Sequence, residues 1–441
     1  MSINTYRGFT LRNYKEIPQI DALSNEDIEA IDIVSQVLPF KANNYVVDEL
    51  IDWNNTSTDP IFTLTFPRKE MLSDTNYNTV KEIVATGDKA AIIKSVHDIR
   101  MQLNPNPAGQ KENIPSVDGQ ELRGMQHKYR ETALFFPSQG QTCHAYCTFC
   151  FRWPQFTGMS GQKFAMREAD LLHKYLLKNK NITDVLFTGG DPMTTTAKVM
   201  SAYIEPLLSK ELSHIKNIRI GSKSLAYWPY RFLTDRDADE MLQLFEKVKK
   251  AGKHLAFQAH FNHPTELSTD AVKKAIERIQ NTGAVIRTQS PLLRHINDDH
   301  KIWSDMWTEQ VRLGLIPYYM FVARDTGSKA FFEVPLAEAW DIYRKANANV
   351  SGIARTVRGP SMSAEPGKVQ VLGVNEIMGE KVFMLRFLQC RNPNLTDIPF
   401  FAKYDNKATW LDELKPAFGD KQFFYEKDNL IDKPEEELIF S

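Results

Sequence analysis

The chain has 441 residues, 42% of them hydrophobic, which is longer than one core usually organises, so a main domain of barrel size with flanking pieces is expected. Its 54 Lys plus Arg against 55 Asp plus Glu leave a formal net charge of −1, which excludes bulk attraction to nucleic acid or an anionic membrane and favours small-molecule partners. No apolar run approaches the roughly 20 residues of a membrane span and no secretion signal opens the chain, so a cytoplasmic protein is expected, and its four cysteines read as ligands rather than disulfides.

In chain order, Ser-Asn-Glu-Asp-Ile-Glu from Ser24 predicts a helix start with Ser24 as its cap and Ile28, Ile31 and Val34 as its apolar face. Residues 58–64 read as a connector or short strand, and further helices extend to about Leu103. The Pro- and Gly-containing stretch 104–115 reads as a long loop, so residues 1–115 form a helix-rich N-terminal region.

Beyond Tyr129, short apolar runs alternate with amphipathic segments of helix length. Candidate strands are 133–136, 184–188, 217–221, 254–260, 284–289 and 316–321. Candidate helices are 166–177, 235–250, with Met241, Leu244, Phe245 and Val248 on one face, and 268–280 with Ser268 as cap. Strand and helix in regular alternation make a parallel α/β sheet. Six units suit a partial, TIM-like (β/α)6 barrel over residues 116–330, with ligand-binding residues at the strand C-terminal ends. The segment 331–441 holds a helix (334–345), a Gly/Pro/Ser-rich loop (358–367) and a strand (369–374) paired through a turn at Gly379 with 383–388. It closes the barrel or makes a homo-oligomer contact. The acidic run Glu435 to Glu437 reads as a solvated helix face.

Cys143, Cys147 and Cys150 gather three of the four cysteines into eight residues. Thiolates spaced C-x3-C-x2-C can hold an iron–sulfur cube with one iron left open to a small ligand. A structural zinc site normally takes four protein ligands, so the trio alone suits it less well, and Cys390 by itself is too little for a second, tetrahedral zinc site. At the end of the second candidate strand, Gly189-Gly190-Asp191-Pro192 exposes backbone groups at close range.

The cysteine loop with an aromatic before its second cysteine, followed by Gly-Gly-Asp-Pro, resembles the radical S-adenosylmethionine (SAM) enzymes. That resemblance implies that Cys143, Cys147 and Cys150 ligate a [4Fe-4S] cluster. It also implies that Gly189, Gly190 and Asp191 approach the methionine end of S-adenosyl-L-methionine, which the cluster cleaves to a 5′-deoxyadenosyl radical. The likeness narrows to the lysine 2,3-aminomutase family through Asp59-Pro60, Gly221-Ser222-Lys223, His260-Phe261-Asn262-His263-Pro264-Thr265-Glu266, residues 289–298 and Pro317-Tyr318-Tyr319. The family uses pyridoxal 5′-phosphate (PLP) held as a Schiff base by a lysine after a glycine-rich turn, here Lys368. Such a lysine lets nitrogen cross between neighbouring carbons.

By the same resemblance, Arg152 grips the substrate carboxylate as a guanidinium fork and Asp298 contacts a distal ammonium. It implies further a small amino-acid substrate and a flavodoxin- or ferredoxin-type electron donor. Lysine-specific members carry a second aspartate shortly before the turn, and residues 358–365 hold none, which argues for a substrate not confined to lysine. Lys128 and Tyr129 stand where PLP contacts are drawn, with Thr132 in place of an arginine. The function expected is a radical SAM, PLP-dependent isomerase shifting an amino group between carbons 2 and 3 of an α-amino acid. The alternatives are a different radical reaction with PLP altered or lost, and a non-catalytic Fe-S redox sensor.

Overall fold

The computed structural model describes residues 5–104, 113–159 and 164–431. Most of the loop expected at 104–115, and the acidic run at 435–437, lie outside the described residues.

The N-terminal region holds β1 (Gly8–Thr10), α1 (Asn25–Val37), β2 (Lys41–Asn43), α2 (Pro60–Thr65), α3 (Asp74–Thr86) and α4 (Lys89–Gln102). Helix α1 starts where its signal predicts, with the Ser24 hydroxyl accepting from the Asp27 amide and Ile31 and Val34 buried beneath it. Residues 58–64 are not a strand. The Asp59 carboxylate caps α2 by accepting from the Phe62 amide, and Pro60 fills the first helical position, where a missing N–H costs nothing. The capping signal outweighs the β-leaning composition.

A two-residue-per-strand hairpin, β3 (Ser116–Val117) and β4 (Gln120–Glu121), leads into β5 (Met125–Tyr129), antiparallel to β6 (Thr132–Phe135). Strand β6 opens the parallel series, followed by α5 (Ala169–Lys178), β7 (Asp184–Phe187), α6 (Ala197–Ile204), β8 (Asn217–Ser222), α7 (Ser224–Tyr227), α8 (Ala238–Lys250) and β9 (His254–His260). It continues through α9 (Asp270–Asn281), β10 (Val285–Leu292), α10 (His300–Arg312) and β11 (Ile316–Val322), then α11 (Lys329–Phe332) and α12 (Leu336–Ala348). The helix α9 is capped by Thr269, whose hydroxyl accepts from the Val272 amide; Ser268, the expected cap, instead donates to the Thr265 carbonyl.

Side chains two residues apart on these strands share a face. Leu186 and Thr188, Arg219 and Gly221, Gln258 and His260, and Tyr319 and Phe321 all line one cavity. Strands across the whole series can face one cavity only if the sheet is curved, as a (β/α)6 partial barrel requires. The opposite faces, such as Ile218, Ile220, Phe257 and Ile286, are buried in the main apolar core with Met241, Leu244, Phe245 and Val248 of α8.

Of the segment read as a Gly/Pro/Ser-rich loop (358–367), the first six residues are a strand, β12 (Arg358–Ser363), parallel to β11, and only residues 364–366 lie between strands. A Cβ on Gly359 would lie 2.7 Å from the Met320 side chain, so this glycine permits close strand approach rather than marking a loop. Antiparallel strands β13 (Gly367–Ile377), β14 (Glu380–Cys390) and β15 (Pro399–Lys403) complete an eleven-stranded sheet whose spatial order follows the sequence from β5 to β15. Met378 and Gly379, both with positive φ, make the β13–β14 turn. A second apolar core, including Val371, Leu385, Phe387, Phe400 and Trp410, supports these strands. Among the described residues no helix is long and apolar enough to cross a membrane.

Candidate active site

The cysteine loop leaves the C-terminal end of β6 and is gripped by its backbone from outside. The Tyr146 amide donates to the Lys41 carbonyl (2.7 Å) and the Thr148 amide to the Leu64 carbonyl (3.0 Å). Lys41 Nζ donates to the Cys143 carbonyl (2.7 Å), and the Tyr6 hydroxyl to the His144 carbonyl (2.6 Å). The N-terminal region therefore works as a clamp that fixes the loop before any ligand is considered.

Burial pushes the Cys147 thiol up to about 12 and the Cys150 thiol up to about 11. Cys143 is raised by burial first, then by Asp191 and the two neighbouring thiols. Three part-buried thiols that feel one another are costly as thiolates and become favourable when iron supplies the positive charge. Among the described residues no group of three or more His, Cys, Asp or Glu side chains is arranged to hold a metal ion. Three sulfur donors in one loop suit a multi-iron group, so the donor set fits an open cluster.

The turn after β7 packs directly on this loop. The Asp191 amide donates to the carbonyls of Gly140 (3.0 Å) and Thr142 (2.7 Å). A Cβ on Gly190 would meet the Thr142 backbone at 2.5 Å, and Gly189 holds φ +145, so both positions need glycine. The Asp191 carboxylate is committed within the chain. It accepts from the Met193 amide, the Ser222 and Ser224 hydroxyls (each 3.0 Å) and the Lys223 amide (2.8 Å), tying the end of β7 to that of β8. By this geometry Asp191 organises the strand ends.

Below the loop lies a cavity of about 260 Å3, lined by residues of β6 to β11 and by Arg152, Arg324, Ser363 and Lys368. An outer chamber lined by Lys128, Tyr129, Thr132 and Glu365 shares Arg152, Arg324 and Lys368 with it. The Arg152 guanidinium stacks on Phe136 (4.5 Å) and Phe151 (5.0 Å). Burial, with Arg324 adding to it, brings Arg152 down to about 10. Lys368 leaves the first rung of β13, where a Cβ on Gly367 would lie 2.4 Å from the Gln389 carbonyl, which explains the glycine before it. Its ammonium sits 4.2 Å from the Tyr319 ring centroid, and burial lowers it to about 8. His260 is kept neutral by burial, and its Nε2 is a buried atom without a hydrogen-bond partner among the described residues, free to meet a polar ligand.

Arg152 and Lys368 thus meet on one cavity, beneath the loop of Cys143, Cys147 and Cys150 and near the glycine turn. Asp298 does not join them. Its carboxylate accepts from Arg294 (3.3 Å), whose guanidinium is held bidentately by Glu338 on α12 (2.7 and 2.8 Å), and it is not among the cavity-lining residues. The ammonium contact expected of it is therefore not supported by its position. Sequence reasoning missed Arg219, Gln258, Gln289 and Arg324 as cavity-lining residues; the first three are polar residues at alternate positions of buried strands, a signal that was available.

No family model matches the chain. A putative L-lysine 2,3-aminomutase of Aquifex aeolicus is 30% identical over 407 residues, 92% of this chain and 96% of the relative. The chain belongs to the lysine 2,3-aminomutase family. L-lysine 2,3-aminomutase of Fusobacterium nucleatum is 26% identical over 267 residues, 60% of this chain and 59% of the relative. Glutamate 2,3-aminomutase of Clostridioides difficile is 28% identical over 217 residues, 48% of this chain and 47% of the relative. Among solved structures, a radical SAM methyltransferase from Sphaerobacter thermophilus aligns with TM-score 0.37 and 12% identity over 53% of this chain and 68% of its own. As a member of the lysine 2,3-aminomutase family the chain is an enzyme, a radical SAM aminomutase, and the family brings SAM and a [4Fe-4S] cluster with it.

Proposed function

We propose that this enzyme is PLP-dependent and shifts an amino group between carbons 2 and 3 of an α-amino acid whose side chain carries no positive charge. One observation carries the reading: a lysine whose ammonium is held down by burial and an arginine without a carboxylate partner among the described residues share one cavity beneath a three-thiol loop. When bound, the cluster with SAM supplies a hydrogen-abstracting carbon radical, and PLP supplies a carbonyl and a π-system across which nitrogen can pass between neighbouring carbons.

The chain's own residues do the rest. Cys143, Cys147 and Cys150 are the cluster ligands. The backbone of Gly189 and Gly190 receives the methionine end of SAM, and Asp191 holds that turn in register. Lys368 Nζ, near half-neutral at pH 8, is the nucleophile that captures PLP. Lys128 and Tyr129 form the wall toward the phosphate end, with Arg324 in the same chamber where Thr132 offers no charge. Arg152 holds the substrate carboxylate with a fork that Phe136 and Phe151 keep flat. Phe149, Phe321 and Phe332 exclude water from the reacting carbons.

No Asp or Glu is among the described residues lining the inner cavity, whereas five Lys or Arg are. Three of these are already ion-paired, Arg219 with Asp184, Arg324 with Asp325 and Lys329 with Glu333 and Glu413, so a side-chain ammonium entering there meets the charges of Arg152 and Lys368 and no carboxylate among the described residues lining the inner cavity, which disfavours it by desolvation and repulsion together. The test is anaerobic reconstitution with iron, sulfide, SAM and PLP, then incubation with glutamate, aspartate, alanine, phenylalanine and lysine, scoring β-amino acids by mass spectrometry. Conversion of one or more of the first four ahead of lysine is expected. Preferred conversion of lysine would overturn the substrate reading, and absence of any β-amino acid with SAM cleaved would overturn the aminomutase reading.

A further inference from the structure

Tyr227 closes α7, just past β8, and its side chain is only 1% exposed. Its hydroxyl lies 3.8 Å from Cys147 Sγ, the one hydrogen-bond partner it has among the described residues. With the thiol protonated, sulfur donates to the phenol oxygen. A cluster ligand has lost that proton, so the hydrogen remaining between the two atoms is the phenol's, and the bond reverses direction.

The ring cannot swing away. Lys223 Nζ stands 4.3 Å from its centroid and is itself fixed by Glu266 (2.6 Å) and Asn262 (2.7 Å). The Tyr227 carbonyl accepts from Asn43 Nδ2 (2.9 Å), so the backbone is pinned as well. An ammonium on the ring face draws electron density from the phenol and makes its O–H a better donor.

We propose that Tyr227 is a positioning residue for the cluster: it donates a hydrogen bond to the Cys147 sulfur and thereby sets how readily the cluster accepts an electron. This rests on the reading of Cys143, Cys147 and Cys150 as the cluster ligands. One-electron reduction places negative charge partly on the ligand sulfurs, and a donor aimed at one of them stabilises the reduced form more than the oxidised form. Easier reduction in turn eases delivery of the electron that opens the sulfonium of SAM. A residue serving only to fill space would be replaced by phenylalanine without electronic effect.

The experiment is a potentiometric titration of the reconstituted full-length enzyme, followed by electron paramagnetic resonance, for wild type and Tyr227→Phe. Equal iron content is expected, with the reduction equilibrium shifted about tenfold toward the oxidised cluster, about 59 mV more negative for a one-electron couple. An unchanged potential at full iron content overturns the proposal. If Tyr227→Phe takes up less iron, 3-fluorotyrosine placed at position 227 by codon suppression keeps the shape and strengthens the donor. A more positive potential then supports the proposal and an unchanged one overturns it. A reconstituted wild type with no iron–sulfur signal overturns the cluster reading and this inference with it, so the two failures are told apart.

Discussion

Replacing Lys368 by methionine tests how the cavity treats charge. An ordinary lysine ionises at 10.5, and burial brings Lys368 to about 8. Each unit is about 1.36 kcal/mol, so holding this ammonium folded costs on the order of 3 kcal/mol. The sign follows from proton counts. Below pH 8 both folded and unfolded chains carry the proton and the full cost is present. Between about 8 and 10.5 the folded chain has released it while the unfolded chain keeps it, so wild-type stability rises with pH until the cost vanishes. Metal-free, PLP-free Lys368→Met is therefore expected to unfold at higher urea than wild type at pH 7, with the gap closing by pH 10.

The same shift has a chemical readout. At pH 8 about half of Lys368 is free amine, against about 0.3% for an ordinary lysine, on the order of 150-fold more nucleophile. Schiff-base absorbance on adding PLP to wild type is expected to rise with a midpoint near pH 8. A midpoint at 10 or above, or wild type and variant unfolding alike at pH 7, would refute a Lys368 ammonium destabilised by burial.

Arg152→Lys replaces a planar fork with a point charge, and the apparent KM for the amino acid is expected to rise about 10- to 100-fold, measured in steady state. In Asp191→Ala, two hydroxyls and two amides lose their acceptor. A loss of about 2–4 kcal/mol is expected from urea unfolding of the metal-free protein, with a smaller loss for Asp191→Asn. Asp298→Asn removes only one partner of Arg294, a pair worth about 0–1 kcal/mol, so KM should stay within about twofold; a tenfold rise with lysine would restore the ammonium contact.

The sequence carries its architecture plainly where strand and helix periods alternate. Strand His254–His260 stands where its apolar run places it, and each of the other five parallel strands falls within three residues of its signal at either end. Departures arise where one residue type serves two purposes. Gly359 and Pro360 read as a loop because composition cannot tell a turn from a strand packed close on Met320. Asp298 carries the spacing of a substrate contact, but Glu338, which holds Arg294 and so captures it, lies on a helix forty residues later, beyond any local pattern. Tyr227 was silent for the same reason, since its partner Cys147 is 80 positions away.

The sequential order of the large sheet has a consequence for biosynthesis. Every strand from β6 onward finds its neighbour already extruded from the ribosome, so the sheet can grow in the direction of translation with little loop-closure entropy. The thiol loop and its N-terminal clamp are complete while Lys368, on β13, is still being synthesised. Thiol loop and lysine are thus separable in time: Lys368 joins a cavity whose other wall, from β6 to β11, is already made.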